Sequence, residues 1–66
     1  MAVAKITEIS SSSQVSFDDA VKTGIVRASK TLRNIRGAWV KDQKVDVKDG
    51  QVSAYRVTLK VTFELD

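Results

Sequence analysis

The spacing of apolar residues changes along this chain, and each change marks an element. Residues 3–9, "VAKITEI", mix β-branched with polar positions as a first strand does. The run Ser10–Ser13 then breaks the pattern and reads as a turn. From Ser16 the interval becomes threes and fours: Phe17, Ala20, Val21, Gly24, Ile25, Ala28, Leu32 and Ile35 form one stripe of a helix. Lys22, Arg27, Lys30 and Arg33 occupy the opposite face, where a solvated surface is the ordinary use of such charges. Ser16, with Asp19 three residues on, approximates a capping box and sets negative charge at the positive end of the helix. Gly24 and Ala28 lie within the stripe, where small size lets a helix approach a sheet closely. Gly37 is placed to help the chain reverse.

Two extended segments follow, 38–48 and 51–65, separated by Asp49-Gly50. Asp-Gly favours the positive backbone dihedrals of a tight hairpin, so the strands are expected as antiparallel neighbours. The last strand alternates: Tyr55, Val57, Leu59, Val61, Phe63 and Leu65 share one face, Ala54, Arg56, Thr58, Lys60, Thr62 and Glu64 the other. In the middle strand Ala38 and Val40 have even parity whereas Val45 and Val47 have odd parity. Both pairs can share a face only across an extra residue, which predicts a bulge or bend near Lys41 to Lys44. The order is strand, helix, strand, strand, an α+β arrangement in a single domain over residues 1–66.

If Ala38 and Val40 lie toward the helix, Trp39 points to the sheet's other face, beside Arg56, Thr58 and Lys60. A large aromatic facing away from the helix needs a second apolar surface, either a symmetry mate or a planar ligand. Length sharpens this. At 66 residues the core barely offsets conformational entropy, and with no Cys and no His the common disulfide and metal staples are missing. Self-association is the remaining supplement.

The same composition removes most catalytic chemistry. Common general bases, thiol nucleophiles and glycine-rich phosphate loops are lacking, so no catalytic residue is assigned and an enzyme is not expected. Asp18, Asp19, Asp42, Asp46, Asp49 and Asp66 would hold Ca²⁺ or Mg²⁺ only by convergence in the fold or between subunits. Lys and Arg exceed Asp and Glu by 11 to 8 with the signs interspersed, which argues against nucleic acid as a partner. Without an apolar run long enough to span a bilayer, or a signal-like start, the expectation is a cytoplasmic protein with no membrane partner.

The helix "SFDDAVKTGIVRASKTLRNI", the segment "VKDQKV" and the ending "YRVTLKVTFELD" together resemble dodecin, the bacterial and archaeal flavin-storage family, over Lys5 to Asp66. The resemblance implies a three-stranded antiparallel sheet wrapped around the helix, and a hollow homododecamer in which sheet edges and outer face meet neighbours. It implies a non-enzymatic protein that sequesters FMN or riboflavin and quenches the light-excited ring by electron transfer from an indole. In flavin-binding members a tryptophan at the start of the second strand stacks on the isoalloxazine, two flavins packing between a pair of tryptophans. A glutamine after the tyrosine of the last strand bonds the ring's polar edge.

Aligned on the helix end and the Asp-Gln pair, that stacking position is Gly37, and Trp39 is displaced by two residues, roughly 6.5 Å along a strand. The glutamine position is Arg56, which donates hydrogen bonds without accepting them. The candidate flavin-binding residues are therefore Trp39, Arg56, Gln43 and Gly37, Gln43 because it resembles the family's polar middle-strand residue and shares odd parity with Trp39. The alternatives are a shell whose pocket is filled by Trp39 and Arg56 themselves, or one that binds cations or another ligand.

Overall fold

The computed structural model describes residues 3–65, so Asp66 of the acidic candidates lies outside the described residues. Its elements are β1 (Ala4–Ser13), α1 (Phe17–Ala28), β2 (Ile35–Lys48) and β3 (Gln51–Glu64), in the expected order. The three strands form one antiparallel sheet ordered β1-β3-β2, which puts the last strand in the middle and leaves β1 and β2 as edges.

β1 runs four residues past the expected strand, because Ser10 to Ser13 pair with Thr58 to Tyr55 rather than turning. Their hydroxyls account for this. Ser11 Oγ donates to the Ala20 carbonyl at 2.7 Å, and Ser13 Oγ donates to Asp19 Oδ2 at 2.6 Å. These serines face α1, where the hydroxyls bond the helix and the small side chains let it come close.

Ser16 caps α1 as expected, its Oγ accepting from the Asp19 amide at 3.0 Å. The second half of the capping box is absent. The Asp19 carboxylate turns to Ser13 instead, and the Ser13 hydroxyl accepts from the Val15 and Ser16 amides. The helix ends at Ala28, short of the predicted stripe. Leu32 and Ile35 still pack on the core, Leu32 from the connection and Ile35 from β2. The chain reverses at Asn34, whose φ is 62°, rather than at Gly37, which is already in β2.

The hairpin turn has Asp49 at φ 54° and Gly50 at φ 77°, both positive as a type I′ turn requires. The predicted bulge is at Lys41, between the pairs Val40/Leu59 and Asp42/Thr58. Further register shifts occur at Arg36 and at Ser53, the latter held by Ser53 Oγ donating to the Asp46 carbonyl at 3.1 Å. Both escape the parity count because Ile35 is counted there with the helix and Val52 falls outside the alternating row that begins at Tyr55.

Ala20, Val57, Leu59 and Val61 make the buried centre, with Ile9, Phe17, Val21, Ile25, Leu32 and Ile35 packed around it. Tyr55 meets Phe17 edge-on at 5.1 Å. Leu65, expected in the core row, lies past the end of β3 and is exposed. α1 packs on β1 and β3. β2 gains little from it: Val40, on the helix side of the sheet, is 44% exposed, and Val45 and Val47 are exposed too. The molecule is elongated, 51 × 19 × 14 Å, with the hairpin as its long axis.

Candidate functional site

Directly opposed residues of antiparallel strands point to the same side of the sheet, so the register assigns every face. On the side away from α1, three strands line up in rows: Ile6, Thr62 and Gly37; Glu8, Lys60 and Trp39; Ser10, Thr58 and Asp42; Ser12, Arg56 and Lys44. Trp39 is therefore on the face deduced from parity, 61% exposed. Gly37 shares that face, one row away.

Between them lies a hollow of about 410 Å³ lined by Arg36, Gly37, Ala38, Trp39 and Thr62. Gly37 leaves its part of this hollow open: a carbon built at its Cβ position meets nothing within 4 Å. Arg36 at the rim is held by Glu64, Nε to Oε1 at 3.3 Å. Lys41, released from the ladder by the bulge, pairs with Glu8 at 3.2 Å, although β3 lies between their strands.

Arg56 is on the same face but four residues along β3 from Lys60, roughly 13 Å away, so one protomer does not bring Arg56 and Trp39 together. Its guanidinium is taken by Asp46, Nη2 to Oδ2 at 2.7 Å. The hydrogen bond from Arg56 holds the Asp46 carboxyl below its ordinary value, against an opposing desolvation; the charges of Arg56 and Lys44 act in the same direction as the bond. Asp46 returns the effect, raising Arg56 chiefly through the same hydrogen bond.

Gln43 is separated from this group. Parity along the sequence puts it with Trp39, but the extra residue at Lys41 flips the strand, and Gln43 stands opposite Val57 on the helix side. It shares no face with Trp39, Gly37 or Arg56.

Lys60 stands opposite Trp39 as parity placed it, but Asp46 was not legible as a neighbour of Arg56. Asp46 comes diagonal to Arg56 only through the register shift at Ser53, whereas the shift at Lys41 cancels that one and returns Trp39 to the position opposite Lys60 that the hairpin turn alone sets. Among the described residues, no group of three Asp or Glu side chains could hold a metal ion, and no helix is long and apolar enough to cross a membrane.

The Dodecin family model matches residues 3–66. The chain is similar in structure to the dodecin from Streptomyces davaonensis, with 37% identity over 98% of this chain and 96% of that one, and a TM-score of 0.94. It is similar to a Thermus thermophilus dodecin variant in which a tryptophan is replaced by phenylalanine, with 30% identity over 100% and 98% of the two chains and a TM-score of 0.93. It is also similar to the calcium chelating immunodominant antigen, calcium dodecin, of Mycobacterium tuberculosis, with 31% identity over 97% and 91% and a TM-score of 0.83. No curated protein matches.

Proposed function

The chain belongs to the dodecin family, and we propose that it is a non-enzymatic, flavin-sequestering protein that works as a hollow homododecamer. The observation that carries this reading is Trp39, 61% exposed on the sheet face turned from the helix, beside the hollow over Gly37. A volume of about 410 Å³ is within the range of small-molecule sites. An indole at its wall offers a stacking surface of the kind that supplies about 0.5–1.5 kcal/mol beyond area burial.

Within this reading Gly37 is the floor against which a flat ring rests and Trp39 is the platform that stacks on it. Arg56, roughly 13 Å along the face, reaches that ring from a second copy. Its fork donates to the polar edge while Asp46, already bonded to it, keeps an oxygen for accepting. A bound flavin supplies the light-absorbing ring, and the indole beside it supplies the electron that returns the excited state to ground. Gln43, on the helix side, takes no part in this contact.

Assembly is supported by the small buried centre and by the exposed valines of β2, which a lone protomer leaves in water. The test is a titration of FMN and of riboflavin with the full chain, followed by flavin fluorescence, alongside sedimentation. Quenching that saturates, that is lost in Trp39→Ala, and that travels with a dodecamer supports the proposal. A dodecamer that leaves FMN emission unchanged at micromolar protein overturns the flavin part, and a monomer overturns the assembly.

A further inference from the structure

Between residues 20 and 41 lie six cations and no acid: Lys22, Arg27, Lys30, Arg33, Arg36 and Lys41. The rest of the chain holds the remaining five cations against all eight acids. The charge is thus segregated, although the two signs look interspersed when counted over the whole chain.

Position in the fold divides these cations. Arg36 and Lys41 are on β2 and pair with Glu64 and Glu8. Lys22 and Arg27 are on the solvent side of α1 and Lys30 is in the turn after it. Among the described residues none of these three has a carboxylate within 4.0 Å, and Asp18, one turn before Lys22, makes no ion pair with it. Lys22, Val26 and Lys30 follow at intervals of four residues, with Thr23 and Arg27 in the adjoining row; the five line one shallow hollow of about 330 Å³. Thr23 and Arg27 also border the groove of about 500 Å³ between α1 and β1, where Thr31 adds another hydroxyl.

We propose that this face of α1 is a docking surface for the phosphate backbone of duplex nucleic acid, engaged without regard to sequence. Lys22 and Lys30 are separated by roughly 12 Å at 1.5 Å of rise per residue, a length over which a duplex presents about seven phosphates. Unpaired cations keep their full charge for those phosphates, and the Arg27 fork with the threonine hydroxyls matches phosphate oxygens. No aromatic residue lies on this face, so a platform for stacking single-stranded bases is missing. A lipid surface fits less well. The apolar stripe of α1 is turned to the sheet, and Val26 alone of the hollow's lining is aliphatic, whereas insertion into a headgroup layer needs a broad apolar face. A contact of three charges is weak singly and is strengthened where several copies face one polymer. Flavin occupancy of the opposite sheet face plays no part in it.

The experiment is fluorescence anisotropy of an end-labelled duplex of about 20 base pairs, titrated with the full chain between about 50 and 200 mM salt. Each copy using three cations gives a log–log salt slope of about −2.7, steeper where more copies engage one duplex. The variant Lys22→Gln/Arg27→Gln/Lys30→Gln is expected to lose about tenfold or more in affinity, with its thermal unfolding unchanged. The equal-charge control Lys5→Gln/Lys44→Gln/Lys48→Gln is expected to bind as the wild type does. No binding at the lowest salt overturns the proposal. So does equal loss in the two variants, which reduces the effect to net charge, or tighter binding to vesicles of anionic phospholipid than to the duplex.

Discussion

A carbon built at the Cβ position of Gly24 lies 2.9 Å from Ser11 Cβ, so helix and first strand are in contact where neither has a side chain to spare. Ser11 Cβ is tied to the strand backbone and does not swing aside. Alanine in a helix interior ordinarily gains about 1 kcal/mol over glycine. Here the clash opposes that gain, and Gly24→Ala is expected to destabilise by about 1–3 kcal/mol, the usual range for overpacking. Urea denaturation of Gly24→Ala with and without Ser11→Gly checks this: the second change restores stability if the contact is the cause. A Gly24→Ala protein more stable than the wild type refutes it.

The Asp46–Arg56 pair predicts a pH dependence of definite sign. Asp46 has its carboxyl lowered by folding, so its contribution to stability is complete above the unfolded carboxylate value of about 3.9. It is lost as pH falls through the lower folded value. Stability of the wild type is therefore expected to drop more steeply below about pH 4 than that of Asp46→Asn, the two curves running parallel near neutrality. Parallel curves down to strong acid would remove the pair from the stability account. Both groups are half exposed, so added salt weakens the difference.

Element order, the I′ turn and the Lys41 bulge were readable because each leaves a mark on residue type or parity. An Asp-Gly pair and two valine pairs of opposite parity are local signals with a single geometric meaning. What sequence missed had its cause elsewhere in the fold. The four serines read as a turn because their partners, the Ala20 carbonyl and Asp19, lie on another element. Leu32 and Ile35 kept the helical interval although the helix had ended, since the core they reach is the same one. Gln43 was placed with Trp39 by counting across the very bulge that had been predicted, and the flip moved it to the other face. The pairing of Asp46 with Arg56 depends on a shift at Ser53 whose one trace in the sequence is the even parity of Val52 against Tyr55 and Val57.

Leu59 is fully buried at the centre of a four-residue core. Its replacement by alanine removes about 2–5 kcal/mol, a loss that a single protomer of this size is not expected to survive. If the exposed valines of β2 are covered by other copies, part of the stability comes from assembly. Unfolding temperature then rises with protein concentration, in the wild type and more visibly in Leu59→Ala. Scanning calorimetry over a hundredfold or so dilution checks this. A concentration-independent midpoint in both proteins would assign all stability to the protomer.

Gly37 offers the sharpest test of where a ring would rest. Its backbone is outside the left-handed region and nothing lies within 4 Å of an added Cβ, so a side chain can start there without a clash. In the double variant Gly37→Trp/Trp39→Ala the indole moves two residues, roughly 6.5 Å, and stays on the same face. The resemblance to the family puts the stacking position there, and the variant is expected to fold, to assemble, and to quench FMN emission at least as strongly as the wild type. Trp39→Ala alone is expected to lose quenching. Equal loss in the single and double variants, with both still assembled, would mean that the ring rests against Trp39 and not over Gly37, whereas quenching left intact in Trp39→Ala would mean that the exposed indole serves contacts between copies instead.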